Sequence, residues 1–408
     1  MKYDTFVFSN GLKLVHQYSD SIVAHCGLII NAGSRDEFEY EHGIAHFIEH
    51  LLFKGTKKRK AYQIANIIEN AGGEINAYTT KEETCIYTAF LNDDYDRTLD
   101  ILSDVVFNST FPQKEIEKER EIIIDEINSY KDSPSELIFD DFEELIFKDS
   151  PIARNILGTK TNLKKITRND ILSFMQRNYN TDKMLISSIG NINFQKLIRK
   201  VEKYFNNTNC TKSNNDIKRI CCNHYKPERK EVRKKTYQAH CIIGNIAYPI
   251  KSDKRIGLII LNNLLGGPNM NSKLNMVLRE KNGMAYNIES MYHPYSDTGI
   301  FAVYFGTDKS NVEKCINLIY KEFDKIINMP LSTQQLKIAK KQLIGQLALA
   351  SENIENQMLS NGKSYLFFNK VDSIEEIKEK IETFSSNDLQ IIANEIFDKE
   401  KMSVLIYY

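Results

Sequence analysis

Apolar and polar residues alternate over residues 5–17 of this chain, on both sides of the dipeptide Asn10-Gly11. Alternation with a period of two predicts β-strands, and Asn-Gly between two such runs is typical of a tight hairpin turn. A further strand-like run follows at residues 22–31. The pattern therefore predicts that the fold begins with antiparallel strands.

A helical period of 3.6 residues then appears in several segments, separated by short alternating runs. Glycine or proline follows some of these segments, as expected where helices end. The predicted helices cover residues 41–53, 61–71, 95–108, 113–130, 133–147 and 162–178. The predicted strands between them cover residues 74–80, 84–91 and 184–189.

Composition narrows the class of protein. The 408 residues include 54 basic and 54 acidic ones with no long run of one sign, so neither nucleic acid nor an anionic membrane is expected as a main partner. No apolar stretch approaches the length of a membrane span, and the first residues do not resemble a leader. Seven cysteines without a C-x-x-C pair indicate reduced thiols, and we expect a cytoplasmic protein.

The first candidate chemistry lies within the predicted helix 41–53, where His46, Glu49 and His50 form an H-x-x-E-H motif. On a helix these positions share one face, so two imidazoles could bind one Zn²⁺ with the carboxylate beside the attacking water. The alternative is that both histidines are ordinary core or surface residues. His42, four residues before His46, could compete as a ligand, although Glu49 would then lose its place beside the metal.

A third ligand is needed, and the predicted helix 113–130 offers two candidates. Glu119 and Glu126 occupy its otherwise apolar stripe. Buried carboxylates need a partner, which is either a Lys or Arg side chain or a metal. Because two histidines and one glutamate form a known catalytic zinc set with an open fourth position, this helix is a plausible source of the third ligand.

The second half of the chain repeats the first. Residues 206–215 are polar and without periodicity, so we place a boundary there, between domains of residues 1–210 and 216–408. Similar short segments recur in the same order about 215 residues apart: 24–26 with 239–241, 49–52 with 262–265, and 144–147 with 364–367. This indicates a duplicated domain. The second copy lacks the metal-binding residues and is not expected to bind the same metal.

The second copy carries a different polar set, in which Arg279 and Tyr286 lie seven residues apart. On their spacing alone, the favoured interpretation is an ordinary salt bridge at a helix end for Arg279 and a half-buried phenol for Tyr286. A functional role for the pair depends on similarity to a known family.

Residues 43–56 resemble the metal-binding segment of the pitrilysin and insulinase family of inverted-motif zinc peptidases. The similarity is greatest to its short branch, which includes bacterial peptidases and the β subunit of the mitochondrial processing peptidase. The resemblance implies that Glu126 is the third ligand and that Glu119, seven residues earlier, is an auxiliary glutamate. Asn76 and Ala77 would belong to the edge strand that binds the substrate backbone.

The resemblance extends over nearly the whole chain, and Arg279 and Tyr286 match the family's Arg/Tyr pair. Departures are small, mainly at residues 267–269 and at Met284. The implied structure is an α+β fold of two homologous domains, each an antiparallel sheet packed with helices, as in the processing-peptidase-like metallohydrolases. It also implies dimers that enclose a chamber.

The implied function is that of a zinc metalloendopeptidase that hydrolyses unfolded or short peptides bound as an added β-strand. One Zn²⁺ per chain would be bound by His46, His50 and Glu126. Glu49 would be the general base, Tyr286 would donate a hydrogen bond to the developing oxyanion, and Arg279 would bind a substrate carbonyl or support Tyr286. Alternatives are a leader-processing peptidase and a non-catalytic scaffold subunit.

The location of the Arg/Tyr pair in the other copy of the duplicated domain bears on assembly. By analogy with long family members, which fuse two such chains, we expect a homodimer in which each zinc meets Tyr286 of the partner subunit. Pairing with a paralogous chain is the alternative.

Overall fold

The computed structural model describes residues 3–206, 219–220 and 225–408. The strands are β1 Tyr3–Val7, β2 Lys13–Tyr18, β3 Val23–Ile30, β4 Glu74–Thr79, β5 Thr84–Leu91, β6 Met184–Gly190, β7 Arg229–Val232, β8 Ala239–Ala247, β9 Ala285–Pro294, β10 Gly299–Thr307 and β11 Ser403–Tyr407. The first eight helices are α1 Ile44–Leu52, α2 Ala61–Glu69, α3 Tyr95–Phe107, α4 Gln113–Lys131, α5 Pro134–Ile146, α6 Lys160–Lys165, α7 Arg168–Asn178 and α8 Phe194–Phe205. The remaining helices are α9 Arg255–Gly266, α10 Val312–Asn328, α11 Thr333–Ala350, α12 Ile354–Phe368, α13 Ile374–Thr383 and α14 Ser386–Ile396, with a short π-helix at Asn275–Glu280.

The described residues fall into two compact units. The first contains those of Met1–Ile127, Asn155–Lys218 and Leu349–Ser373, and the second those of Asn128–Arg154, Arg219–Ala348 and Ile374–Tyr408. The units differ from the predicted continuous ranges 1–210 and 216–408, because each takes up a segment of the other range. The predicted linker 206–215 lies, apart from Asn206, outside the described residues.

The first unit is built on a six-stranded sheet in the order β1-β2-β6-β3-β5-β4. Neighbouring strands are antiparallel except β2 and β6, which are parallel. The predicted hairpin around Asn10-Gly11 joins β1 to β2, and Gly11 has the positive φ of +85° that such a turn requires. Strand β4 forms one edge of the sheet, and α1 packs beside it.

The second unit is built on a five-stranded sheet in the order β7-β11-β8-β10-β9. The order and the strand directions match those of β2-β6-β3-β5-β4 in the first unit. The repeated segments 24–26 and 239–241 lie on the corresponding strands β3 and β8. The predicted α+β fold of two similar halves is therefore confirmed.

The resemblance implied an antiparallel sheet in each domain, but both sheets are mixed, because β2 pairs with β6 and β7 pairs with β11 in parallel. Strands β6 and β11 each follow a series of helices and insert beside an earlier strand. A connection of that length permits parallel pairing, which a tight hairpin does not. Alternation along a strand gives no information about this choice.

Two helices pack on the sheet of the other sequence half. Helix α12 covers one face of the first sheet, where Ser187 Oγ donates a hydrogen bond of 2.6 Å to the Met358 carbonyl. A Cβ at Gly362 would lie 2.4 Å from Ile29, so the helix approaches very closely. Helix α5 packs in the same way on β8 and β11 of the second unit. The two exchanged helices correspond to the repeated segments 144–147 and 364–367.

Several element boundaries differ from the prediction. Helix α1 begins at Ile44 and not at residue 41, because Gly43 adopts a φ of +96° with its Cα against Gly158. The predicted helix 162–178 is two helices, since Thr167 caps the second one. The four described cysteines are free thiols, and none of the helices within the described ranges has the length and apolarity needed to cross a membrane.

Candidate metal centre

Helix α1 is fixed by its apolar face and by a buried carboxylate at its N-terminus. Phe47 and Leu51 on the apolar face are fully buried. The Glu37 carboxylate accepts hydrogen bonds from the backbone N–H groups of Gly43 and Ala45, each at 2.9 Å. A negative charge is favourable at a helix N-terminus, so Glu37 stabilises the start of α1. These contacts fix the orientation of the two histidines on this helix.

The structure brings His46, His50 and Glu126 together. One ligand atom of each lies within 4.8 Å of the other two. The Nε2 atoms of His46 and His50 are 4.0 and 3.7 Å from Glu126 Oε2. Ligand atoms that surround Zn²⁺ at its usual bond lengths lie about 3–4 Å apart, so the donor types and their spacing fit this ion. Three protein ligands leave a fourth position open.

The electrostatic environment favours the protonation states that such a site needs. Burial, together with the nearby His50, lowers the pKa of His46 to about 3, so the ring is neutral at ordinary pH and ready to act as a ligand. Burial also raises the pKa of the Glu49 carboxyl, and the nearby Glu126 carboxylate acts in the same direction. A carboxylate with a raised pKa is a better proton acceptor.

Glu119 lies behind His50, on the side away from Glu126. Its Oε2 is 3.4 Å from His50 Nδ1, and its Oε1 is 2.8 Å from Lys54 Nζ. The Glu119 side chain is only 2% exposed, whereas that of Glu126 is 43% exposed. The two carboxylates of α4 thus lie in different places, Glu126 facing both histidines and Glu119 supporting one of them.

His42 is not part of the cluster. Because α1 starts after Gly43, His42 does not share the helical face of His46. Its Nε2 donates a hydrogen bond of 2.8 Å to the carbonyl of Asn155. The alternative ligand set that includes His42 is therefore not the one that the structure assembles.

Asn76 and Ala77 lie on β4, which pairs with β5 on one side and is otherwise at the sheet edge. Asn76 is exposed, and Ala77 is partly buried against the core that includes α1. Edge strands present N–H and C=O groups to which an extended peptide could be added. The structure thus provides the geometry that the predicted role of these two residues requires.

Arg279 and Tyr286 belong to the second unit. Arg279 lies in the π-helix, with its Nε 3.7 Å from Glu280 Oε1, and its side chain is 45% exposed. Tyr286 lies on the edge strand β9 and is 76% exposed. An exposed tyrosine on an edge strand is accessible to a ligand, and the alternative of a half-buried phenol is wrong.

The prediction did not include Lys54 and Glu37 among the site residues. Lys54 follows His50 by four residues, the spacing that also separates His46 from His50, so the sequence contained a signal for its position. Glu37 acts across a non-helical loop, where sequence periodicity gives no guidance.

Comparison with known proteins gives matches along most of the chain. The family model described as Insulinase (Peptidase family M16) matches residues 14–160, and that of the Peptidase M16 inactive domain matches residues 165–343. A Rickettsia felis protein, named as an uncharacterized zinc protease, is 34% identical over 97% of this chain and 95% of its own length. The mitochondrial-processing peptidase subunit beta of Saccharomyces cerevisiae is 29% identical over 97% of this chain and 89% of its own.

A solved structure gives the same picture of the fold. The crystal structure of a protease from Helicobacter pylori matches with a TM-score of 0.90 over 100% of this chain and 99% of that one. The sequence identity of 22% means that this match shows a shared fold and no more. The histidines and Glu126 of the cluster lie within the segment matched by the first family model.

Proposed function

Because this chain belongs to the insulinase family, peptidase family M16, we propose that it is an active zinc-dependent metalloendopeptidase. The observation that carries the proposal is the cluster of His46, His50 and Glu126, with Glu49 on the same helix as both histidines. These three side chains would hold one Zn²⁺ per chain.

A zinc ion held there would supply Lewis-acid chemistry, polarising the scissile carbonyl and lowering the pKa of water toward about 7. Glu49 accepts the proton of the attacking water and later delivers it to the leaving amine. The raised pKa of Glu49 suits both steps, since the carboxyl must take up a proton and give it back. Glu119 holds the His50 ring by accepting its Nδ1–H, which leaves Nε2 for the metal.

The substrate is an extended peptide that adds itself to the free edge of β4. Backbone hydrogen bonds at Asn76 and Ala77 align it with the helix that carries the ligands, because β4 packs beside α1. Unfolded or short peptides are the preferred class, since folded proteins offer few unpaired strands.

Arg279 and Tyr286 complete the site across a homodimer in this proposal. Tyr286 of the partner subunit donates a hydrogen bond to the oxyanion, a contact worth about 2.7–4 kcal/mol where one such donor has been removed in a comparable enzyme. Arg279 of the partner subunit binds a substrate carbonyl. Both side chains are exposed, as residues that serve another chain must be.

Leader-peptide processing is a second candidate. The relative named mitochondrial-processing peptidase subunit beta is similar over nearly the full length of this chain, which favours it. Digestion of a peptide library followed by mass spectrometry separates the two functions. Cleavage at one site near the N-terminus of basic leaders supports processing, and cleavage throughout diverse peptides supports general peptide hydrolysis.

The replacement Glu49→Gln tests the proposed chemistry. The variant should still bind one Zn²⁺ per chain but lose peptide hydrolysis, because it lacks the base and keeps the ligands. Metal analysis and a peptide-cleavage assay measure the two quantities, with Glu69→Gln, exposed at the end of α2, as the control. Substantial residual turnover, or loss of the metal, would assign Glu49 to a different role.

A further inference from the structure

Lys54 lies immediately beyond the C-terminal end of α1, four residues after His50. Its Nζ is 2.8 Å from Glu119 Oε1, and the other oxygen of that carboxylate is 3.4 Å from His50 Nδ1. Lys54, Glu119 and His50 therefore form a continuous chain of contacts that ends at the ring of a metal-cluster histidine.

The ion pair is not an ordinary surface contact. Exposed pairs contribute little because both partners keep their water. Here the Glu119 side chain is 2% exposed and that of Lys54 is 27% exposed. A carboxylate that has lost nearly all its water depends on its partners for stabilisation. Among the residues that the structure describes, Lys54 provides the ammonium group in contact with this carboxylate.

The backbone around Lys54 is fixed as well. The Lys54 N–H donates to the carbonyl of Leu51, and the Gly55 carbonyl accepts a hydrogen bond from the Thr110 N–H at 3.0 Å. Two residues after Lys54, Thr56 donates from Oγ1 to the buried Asp104 carboxylate at 2.7 Å. The ammonium group is thus presented to Glu119 from a backbone segment with fixed hydrogen bonds.

The contacts also assign the nitrogen atoms of His50. Nε2 faces Glu126 at 3.7 Å and Nδ1 faces Glu119 at 3.4 Å. With Nδ1–H donating to Glu119, Nε2 carries the lone pair that binds a metal. The position of the Glu119 carboxylate therefore determines how strongly the His50 ring is held with Nε2 facing the metal cluster.

We propose that Lys54 is a positioning residue for the metal centre, which acts through Glu119 to aim His50 at the ion. The inference rests on the proposed zinc site and adds to it a residue that does not touch the ligands. Without the ammonium group, the buried carboxylate loses its ion-pair partner at Oε1, and the carboxylate then supports the His50 ring less well.

The test measures the zinc dissociation constant of the full-length protein by competition with a chromophoric chelator. Lys54→Met should weaken zinc binding by about 10-fold, within the usual range for outer-shell partners. Lys54→Arg, which keeps a cation, should retain most of the affinity. The matched control is Lys58→Met, since Lys58 is 60% exposed and contacts Asp100 instead.

A double-mutant cycle separates action through Glu119 from a general effect of charge. In a Glu119→Gln chain, the added Lys54→Met replacement should leave the zinc dissociation constant unchanged within about twofold. If the two replacements weaken zinc binding independently, so that their fold-losses in affinity multiply in the double variant, the proposal is overturned. An affinity of Lys54→Met within twofold of the original protein, or an equal loss in Lys58→Met, would overturn it too.

Thermal unfolding of the zinc-free variants shows whether each is folded. If Lys54→Met does not fold, the double variant with Glu119→Gln decides, because it has no buried carboxylate to leave unpaired. If the double variant folds and binds zinc as tightly as Glu119→Gln alone, the result supports the action of Lys54 through Glu119. If the double variant does not fold either, the proposal is overturned. An original protein that binds no zinc would defeat the proposed function, whereas full affinity in Lys54→Met defeats this inference alone.

Discussion

At the metal cluster, two glutamates seven residues apart on α4 have opposite environments. Glu126 is 43% exposed and contacts both histidine rings, which suits a ligand at a site that substrate must reach. Glu119 is nearly buried and contacts one ring from behind. Both carboxylates belong to the same stripe in the sequence, so only the positions of the surrounding side chains distinguish their roles.

This difference predicts the effect of removing each negative charge. Glu126→Gln should abolish tight zinc binding, because the amide is a poor zinc ligand. Glu119→Gln should weaken binding by about 10–100-fold, the range observed for outer-shell partners. Zinc titration of both variants measures this, with the exposed Glu117→Gln as control. If Glu126→Gln keeps zinc and Glu119→Gln loses it, the assignment of the third ligand is wrong.

Asp96, which is not a member of the metal cluster, gives a prediction of how the free energy of unfolding depends on pH. The pKa of Asp96 is lowered from 3.8 to about 2, chiefly by a hydrogen bond from Lys200 and also by Tyr204 and Lys203. A lowered pKa in the folded state stabilises the protein above pH 4, and this stabilisation is lost as pH falls toward 2. Asp96 is 43% exposed, so the contribution is reduced by solvent to about 1 kcal/mol or less.

Asp96→Asn should accordingly lower the free energy of unfolding by up to about 1 kcal/mol at pH 6. The difference from the original protein should shrink as the pH is lowered from 5 to 3. Urea unfolding curves at several pH values measure it. A difference that stays constant over this range would mean that the effect does not arise from the charge of Asp96.

Among the elements, loop 33–37 links the helix that carries the ligands to the proposed substrate strand. Arg35 forms a buried ion pair of 2.6 Å with Glu82, in the turn between β4 and β5. Two residues later, Glu37 caps α1. A Cβ at Gly33 would lie 2.3 Å from the Thr80 carbonyl, so the loop packs directly on this turn. Loop 33–37 therefore holds both α1 and the end of β4 in place.

Glu37→Gln should weaken this support. A neutral amide lacks the charge that favours the helix N-terminus, and loss of a good cap costs about 0.5–2 kcal/mol. The free energy of unfolding of the zinc-free protein should fall by this amount, and zinc affinity should fall with it. Urea unfolding and zinc titration test both effects, with the exposed Glu39→Gln from the same region as control. Unchanged stability would show that the cap is not needed to hold α1.

The sequence predicted elements and local sites better than it predicted their arrangement. The spacing of His46, Glu49 and His50 specifies one helical face without reference to the rest of the fold, and the structure has this face. The predicted start of α1 was wrong because the true start depends on the close approach of Gly43 to Gly158, and these two glycines are far apart in the sequence. The buried residues of α12 include Asn361 and Gly362 beside Met358, so its sequence does not show which sheet the helix covers.

For the whole molecule, the proposed dimer would make each active site depend on both units. The proposed zinc ligands lie in the first unit, whereas Arg279 and Tyr286 lie in the second. If these residues act on the partner's zinc, each active site depends on two chains. A mixture of two variants then tests directly whether the active site is shared between subunits, if one variant lacks a catalytic residue of the first unit and the other lacks one of the second unit.

Glu49→Gln and Tyr286→Phe chains should each show little peptide hydrolysis, and their mixture should recover activity. In a mixed dimer, one site would combine an intact Glu49 with an intact Tyr286 of the partner subunit. Activity is measured after subunit exchange has been verified with two differently tagged chains. If Tyr286 served its own chain's zinc, every site in the mixture would remain damaged, and absent recovery would refute the shared site.

The exchange of α5 and α12 between the two sequence halves also bears on how the chain folds as it is made. The other described elements of the first unit have left the ribosome once Phe205 has emerged, but α12 begins only at Ile354. Until then, the apolar residues Val15, Ile29 and Leu185 lack the helix that covers them. At synthesis rates of about 5–20 residues per second, the roughly 150 residues between Phe205 and Ile354 take about 7–30 seconds to make, long enough for chaperones to bind this face. The speed of translation through the second half therefore sets how long the nascent first unit is open to aggregation.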